Sequence, residues 1–203
     1  MNRKIYFQHT LSAVVLTSFL LSACNTSTSS TAPSVIPADP VAAAVATPTP
    51  GRPDWFGIAL EDAQTGEVFT INQFAGKVVL VQTIAVWCTN CAYQQNEVRD
   101  VAKALGNPDN FVVVSLDVDV HEDKASLKKY ADYFDFGWRF AVSPLEVSRA
   151  LGNLYNAEYL NPPLDPMLII DRNGNVYGLP YGLKSANALK NTLAPYLQQY
   201  HDR

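Results

Sequence analysis

Two cysteines in this sequence have a spacing that suits reversible disulfide chemistry. Cys88 and Cys91 are separated by two residues, in the order Trp87-Cys88-Thr89-Asn90-Cys91. A thiolate is the attacking species in disulfide exchange, and a second thiol about one helical turn away can resolve a mixed disulfide from within the chain. The loop between the two is too short for the bond to be a useful structural staple. Cys88 is therefore the predicted nucleophile and Cys91 the predicted resolving thiol.

The sequence on either side of the pair supports this chemistry. A continuous apolar run of strand length, Lys77–Ile84, precedes the pair, and Val98 and Val101 recur at helical spacing after it. This order places Cys88 at a helix N-terminus, where free backbone N–H groups and the helix dipole favour a negative charge. Such a position lowers a thiol pKa from about 8.5 to roughly 3.5–7.5.

Metal binding is the main alternative use of these cysteines. Zinc needs four ligands, and after Cys24 the chain offers His121 and His201 besides the two thiols, neither at ligand spacing from them. His121 lies in an acidic segment, Asp117–Asp123, which we interpret as a solvated turn. No metal and no other cofactor is therefore predicted, and a structural disulfide or a pair of chance buried thiols is disfavoured.

Alternating strand and helix patterns after the first 54 residues predict one α/β domain. The predicted fold is a mixed central sheet with helices on both faces, in which the last two strands form an antiparallel hairpin. Strands are predicted at Glu67–Ile71, Lys77–Ile84, Phe111–Val118, Arg139–Val142, Met167–Ile170 and Asn175–Tyr177. Helices are predicted after the Cys pair up to Gly106, around Leu127–Phe134 with Gly137 ending it, at Leu145–Leu151, and from about Ser185 with a bend at Pro195.

The N-terminus reads as a targeting segment. Arg3 and Lys4 precede a short apolar stretch, Leu11–Leu21, which is shorter than the roughly 20 residues of a membrane-spanning helix. The following residues, Leu21-Ser22-Ala23-Cys24, resemble a bacterial lipobox. Residues 1–23 are therefore a predicted signal peptide and Cys24 a predicted lipidation site, with an ordinary signal peptide and a chance cysteine as the alternative.

The next segment, residues 25–54, is rich in Ser, Thr, Ala, Val and Pro and has little charge. Such a composition buries too little apolar surface to offset ordering entropy, so a flexible tether is predicted. The predicted organisation is thus residues 1–23 as signal peptide, 24–54 as lipidated cysteine and linker, and 55–203 as the folded domain. The net charge of −4 gives no basic footprint for nucleic acid.

The residues leading to the Cys pair also resemble a known family. Phe74-Ala75-Gly76-Lys77 opens the apolar run, which continues through Ala85-Val86-Trp87 to Cys88. This combination resembles the thioredoxin superfamily, most closely its TlpA/ResA-like branch of exported, membrane-tethered reductases. The resemblance implies a thioredoxin-like fold and dithiol–disulfide exchange with exported proteins outside the cytoplasm, serving cell redox homeostasis. It also implies a membrane redox protein as electron donor and a lipid anchor on the membrane.

The family places a cis-proline opposite the disulfide, just before the first strand of the hairpin. Pro166 occupies that position here, with Pro162 and Pro163 as rival candidates and a trans proline as the alternative. The resemblance implies that Trp87 and Pro166 contact the substrate. Asp165 is unusual before this proline, because a carboxylate there opposes a thiolate; we expect it to raise the pKa of Cys88.

Two other classes share this fold. SCO-like copper metallochaperones carry a wider Cys pair and a His near the hairpin, whereas no His lies between His121 and His201. Peroxiredoxins carry a Thr three residues before the reactive Cys, where this chain has Ala85. Both alternatives are disfavoured.

Overall fold

A computed structural model describes residues 52–106 and 109–198 of the chain. The predicted signal peptide, Cys24 and all but the last three residues of the predicted linker lie outside the described residues. Within the described ranges, no helix combines the length and the apolar character needed to cross a membrane.

The strands form a five-stranded mixed sheet and a small separate ribbon. In chain order they are β1 (Leu60–Glu61), β2 (Val68–Phe69), β3 (Val78–Ile84), β4 (Phe111–Asp117), β5 (Arg139–Val142), β6 (Met167–Ile170) and β7 (Val176–Gly178). The sheet order is β5-β4-β3-β6-β7, while β1 and β2 form the ribbon. The strands β3, β4 and β5 are parallel, and β6 is antiparallel to both β3 and β7. All seven residues of the central strand β3 are buried, as its unbroken apolar run predicts.

In the ranges that the structure describes, four helices and four short 3-10 turns surround the sheet. The helices are α1 (Thr89–Ala104), α2 (Lys124–Phe134), α3 (Leu145–Leu154) and α4 (Ala186–Gln198), and the turns cover Asp54–Gly57, Ile71–Phe74, Ala157–Leu160 and Pro162–Leu164. One face of the sheet packs on α1 and α4 through Val98 and Leu189. The opposite face packs on Trp55 and on Val147 of α3. A third cluster joins α2 to the Cys pair through Leu127.

The predicted α/β architecture is confirmed, down to the bounds of β5 and β6. The predicted strand Glu67–Ile71 is too long: β2 ends at Phe69, and a 3-10 turn begins at Ile71, where Gln73 Oε1 accepts the Thr70 N–H. The predicted end of α2 at Gly137 is also wrong. The helix ends at Phe134, and its C-cap Asp135 takes the left-handed conformation at φ 56°, one that Asp tolerates better than most residues.

Candidate active site

The Cys pair sits where the central strand turns into the first helix. After β3 ends at Ile84, Cys88 donates its backbone N–H to the Ala85 carbonyl at 3.1 Å and becomes the N-cap of α1. Cys88 and Cys91 are joined by a disulfide, with their Cα atoms 5.2 Å apart. The predicted order of strand, Cys pair and helix is therefore present in the structure.

The helix N-terminus is aimed at the sulfur of Cys88. The backbone N–H of Cys91 donates to Cys88 Sγ at 3.1 Å. A cap donor in this position favours an anion on the sulfur, as does the dipole of α1. Cys88 is 3% exposed and Cys91 is fully buried. A partner therefore reaches Cys88 first, which agrees with the predicted order of attack and resolution.

The turn Pro162–Leu164 faces the pair from the other side. Cys91 Sγ lies 3.4 Å from the Pro162 carbonyl oxygen, an acceptor for the thiol proton once the disulfide is reduced. Asn90 Nδ2 donates to the Pro163 carbonyl oxygen at 3.4 Å. Pro162 and Pro163, the rival candidates for the proline opposite the disulfide, thus contact α1 through their backbone carbonyls.

The expected cis bond before Pro166 is wrong. Every peptide bond within the described ranges is trans. The chain reverses at Asp165, whose left-handed backbone (φ 49°, ψ 52°) supplies the turn directly. Pro166 itself is buried, and its carbonyl accepts the Thr83 N–H at 3.4 Å. Its role as a substrate contact stays a prediction.

Asp165 is a fully buried carboxylate beside this turn, and neither of its side-chain oxygens has a hydrogen-bond donor among the described residues. Burial raises the pKa of Asp165 to about 6, and the positive charge of Lys184 opposes that rise. Lys184 Nζ donates to the main-chain carbonyls of Asp165 and Gly182 at 2.8 and 2.6 Å. Burial in turn lowers the pKa of Lys184 to about 8. Asp165 is therefore harder to ionise than an exposed aspartate, and the charge of Lys184 favours its ionised form.

Trp87 projects from the turn before Cys88 and is 60% exposed. Its indole N–H donates to Asp119 Oδ2 at 2.6 Å. This bond, followed by the one from the His121 N–H, lowers the pKa of Asp119. The ring is thus an exposed apolar surface beside the disulfide, held in place by a charged acceptor.

Sequence reasoning missed several residues around the site. Asp117 is fully buried rather than part of a solvated turn, and Glu122 accepts the Val86 N–H at 2.7 Å. Gln94 accepts from the backbone of Lys184 and donates to it, which ties α1 to the segment before α4. The sequence signal that could have revealed the burial of Asp117 is its position at the end of a buried strand. The contacts of Glu122 and Gln94 span 36 and 90 residues and leave no local pattern.

In the part of the chain that the structure describes, no three His, Cys, Asp or Glu side chains lie close enough together to be candidate metal ligands. His121 is exposed and directs its backbone N–H to Asp119. A reaction without a cofactor stays a prediction.

The Redoxin family model matches residues 29–192 of the chain. This match covers the whole sheet and begins within the predicted linker. Comparison with curated protein sequences finds no match.

Solved structures with the same fold include three bacterial proteins. A thiol:disulfide interchange protein from Chlorobium tepidum is 19% identical, with a TM-score of 0.56 over 69% of this chain and 92% of that one. A secreted Mycobacterium tuberculosis disulfide oxidoreductase homologous to E. coli DsbE is 14% identical, with a TM-score of 0.53 over 68% and 95%. The exposed lipoprotein thioredoxin Etrx1 from Streptococcus pneumoniae is 22% identical, with a TM-score of 0.55 over 68% and 98%.

The fold and the disulfide-bonded pair define a thioredoxin-fold protein with a redox-capable Cys-x-x-Cys motif. The chain belongs to the Redoxin family. Family membership together with the disulfide-forming pair makes it a thiol–disulfide oxidoreductase.

Proposed function

We propose that this protein exchanges disulfides with exported proteins outside the cytoplasm, with Cys88 as nucleophile and Cys91 as resolving thiol. The observation that carries the proposal is the cap on α1, in which the Cys91 N–H donates to Cys88 Sγ at 3.1 Å. A sulfur held at a helix N-terminus forms its thiolate more easily than a free thiol does.

The reaction needs only the chain's own sulfurs. The Cys88 thiolate attacks a substrate disulfide, forms a mixed disulfide and expels one substrate thiolate. Cys91 then loses its proton and attacks Cys88 Sγ, which releases the second substrate thiolate and closes the Cys88–Cys91 disulfide. The substrate gains two electrons and the pair loses two. A membrane redox protein is the proposed source of electrons for the next cycle.

Substrate contact is proposed at Trp87 and Pro166. Trp87 supports this role because its exposed ring stands directly before Cys88. Pro166 is buried, so its contribution is proposed through the backbone that it shares with Asp165. An unchanged KM for a protein disulfide in Pro166→Ala would remove Pro166 from the proposal.

Membrane attachment is proposed through lipid on Cys24, with residues 25–54 as the tether. The lipobox-like sequence before Cys24 supports this, as do the secreted and lipoprotein members among the structural neighbours. A Cys24→Ala variant should move from the membrane fraction to the soluble fraction and lose incorporation of labelled palmitate. Unchanged fractionation and labelling would contradict the anchor.

Trapping of substrates tests the exchange reaction directly. In full-length Cys91→Ser the mixed disulfide cannot be resolved, so we expect partner proteins to accumulate on Cys88 in high-molecular-weight, dithiothreitol-sensitive complexes. Cys88→Ser is the matched control and should trap none. Equal trapping by both variants, or by neither, would contradict the assigned roles.

A further inference from the structure

A second buried carboxyl lies on the side of the Cys pair opposite to Asp165. Asp117, the last residue of β4, is fully buried. Its Oδ1 accepts the Asp119 N–H at 3.0 Å, whereas its Oδ2 has no donor among the described residues. A buried carboxylate without enough donors is costly, and such groups hold a proton instead.

The neighbour of Asp117 is a second acid, Glu122. Burial raises the pKa of Asp117 to about 8, the Asp119 N–H opposes that rise, and the charge and hydrogen bonding of Glu122 add to it. Two ionised carboxylates only accept, so a hydrogen bond between Asp117 and Glu122 requires a proton between them.

Glu122 also holds the turn that carries the nucleophile. Its Oε2 accepts the Val86 N–H at 2.7 Å, and Asp119 of the same loop accepts the Trp87 indole N–H. Val86 and Trp87 are the two residues directly before Cys88. Two acids of the segment Asp117–Asp123 therefore fix the backbone and the ring that lead into the Cys pair.

We propose that Asp117 and Glu122 are positioning residues for the redox pair, sharing one proton that keeps Glu122 on the Val86 N–H and holds the turn before Cys88. This inference rests on the proposed function. Loss of the shared proton leaves two negative charges side by side, one of them on the fully buried Asp117. Their repulsion loosens the turn, and the added charge disfavours the thiolate of Cys88.

Other groups facing the carboxyl pair are few. Asp119 and His121 lie in the same loop, where Asp119 also raises the pKa of Asp117. From α2, Tyr130 presents a buried hydroxyl without a partner among the described side chains, and burial followed by the charge of Glu122 raises its pKa. After β5, the Ser143 N–H donates to the Asp117 carbonyl. The turn between β3 and α1, which leads into the Cys pair, reaches Glu122 through the Val86 N–H.

A Glu122→Gln variant tests the effect of the shared proton while keeping the hydrogen bonds that Glu122 makes. Its amide can donate to Asp117 and its carbonyl oxygen can accept the Val86 N–H, so the geometry is kept without a titrating group. The measurement is the alkylation rate of Cys88 by iodoacetamide in the reduced full-length chain from pH 6 to 10, read by mass spectrometry of the Cys88 peptide.

We expect two steps in the wild-type profile: a rise as Cys88 ionises and a relative loss of reactivity above about pH 8. Glu122→Gln should show the first step alone and keep its full alkylation rate at pH 9, where wild type has lost part of its rate. Glu122→Ala, which cannot accept the Val86 N–H, should depart from wild type across the whole range.

Asp117→Asn provides a second test if Glu122→Gln folds poorly, since its amide can donate to Glu122 while its oxygen still accepts the Asp119 N–H. Glu146→Gln, at an exposed acid of α3, controls for loss of one negative charge and should match wild type. Superimposable profiles of wild type, Glu122→Gln and Asp117→Asn would overturn the inference. A wild-type disulfide that exchanges with no thiol at any pH would instead overturn the proposed function.

Discussion

Asp117 and Asp165 are both fully buried aspartates that flank one disulfide, and their surroundings raise their pKa values by different amounts. Asp165 has Lys184 nearby, and its pKa stays at about 6 despite burial. Asp117 has Glu122 as its neighbour, and its pKa rises to about 8. Asp117 therefore keeps its proton to a higher pH than Asp165 does. Burial raises the pKa of both aspartates, and the nearest charged side chain adds to that rise at Asp117 and opposes it at Asp165.

The pH dependence of stability should show the difference between the two aspartates most strongly. The pKa of Asp117 is about 8 in the folded protein, against an ordinary value of 3.8, so between about pH 4 and 8 the folded state keeps a proton that the unfolded state has already released. This stabilising contribution is present at low pH and is lost as pH rises, by up to about 1.4 kcal/mol per pH unit. Asp117→Asn should flatten this slope.

Chemical denaturation from pH 4 to 9 provides the measurement. Asp165→Asn should change the slope only between about pH 4 and 6, because its raised pKa lies at about 6. Parallel stability curves for wild type and Asp117→Asn would show that Asp117 holds no extra proton in the fold.

Removal of the cation is the next largest change. Lys184→Met leaves Asp165 without its opposing charge and frees the carbonyls of Asp165 and Gly182. We expect a loss of about 1–3 kcal/mol in the free energy of unfolding and a rise in the pKa of Asp165, measured from its carboxyl carbon shift by NMR. An unchanged Asp165 titration would mean that Lys184 does not set the charge on this flank.

Asp165→Asn tests the effect of the charged flank on the nucleophile. A carboxylate in this loop opposes a thiolate, so its removal should lower the pKa of Cys88 by about half a unit, an electrostatic effect confined to pH values above about 6. The pKa is read from the thiolate absorbance of the reduced full-length protein, with Glu146→Gln as control. A Cys88 pKa identical to that of the wild-type protein would contradict this hypothesis.

The smallest effect is expected at Asp119. Asp119→Asn keeps an acceptor for the Trp87 indole N–H but removes the charge that strengthens the bond. Trp87 should become more mobile, with a KM for a protein disulfide raised about twofold, the equivalent of a few tenths of a kcal/mol, and kcat unchanged. A change in kcat without a change in KM would place Asp119 in the chemical step instead.

Features within one segment of the chain could be predicted from the sequence. The apolar run of β3 and the helical spacing after Cys91 predicted the place of the disulfide. The turn-forming residues Asp171-Arg172-Asn173-Gly174, between the last two predicted strands, indicated the β6–β7 hairpin. Hydrophobic periodicity indicates which face of a helix or strand is buried, and the positions of these elements follow mainly from that pattern.

Features that depend on contacts between distant segments could not be predicted. The acid-rich segment Asp117–Asp123 has a polar composition, yet the buried sheet position of Asp117 and the reach of Glu122 to Val86 override it. The left-handed turn at Asp165, followed by a trans bond to Pro166, is a local backbone choice that composition does not reveal. The left-handed C-cap of α2 at Asp135 is a second case of the same kind.

The reduction potential of the Cys88–Cys91 couple, measured in the full-length chain against glutathione buffers, tests the central claim most directly. A working reductase predicts a two-electron couple near that of thioredoxin, about −270 mV, whereas a value near −120 mV would make the protein an oxidant that introduces disulfides. A potential below about −300 mV, where structural disulfides lie, or no two-electron couple at all, would contradict a catalytic pair.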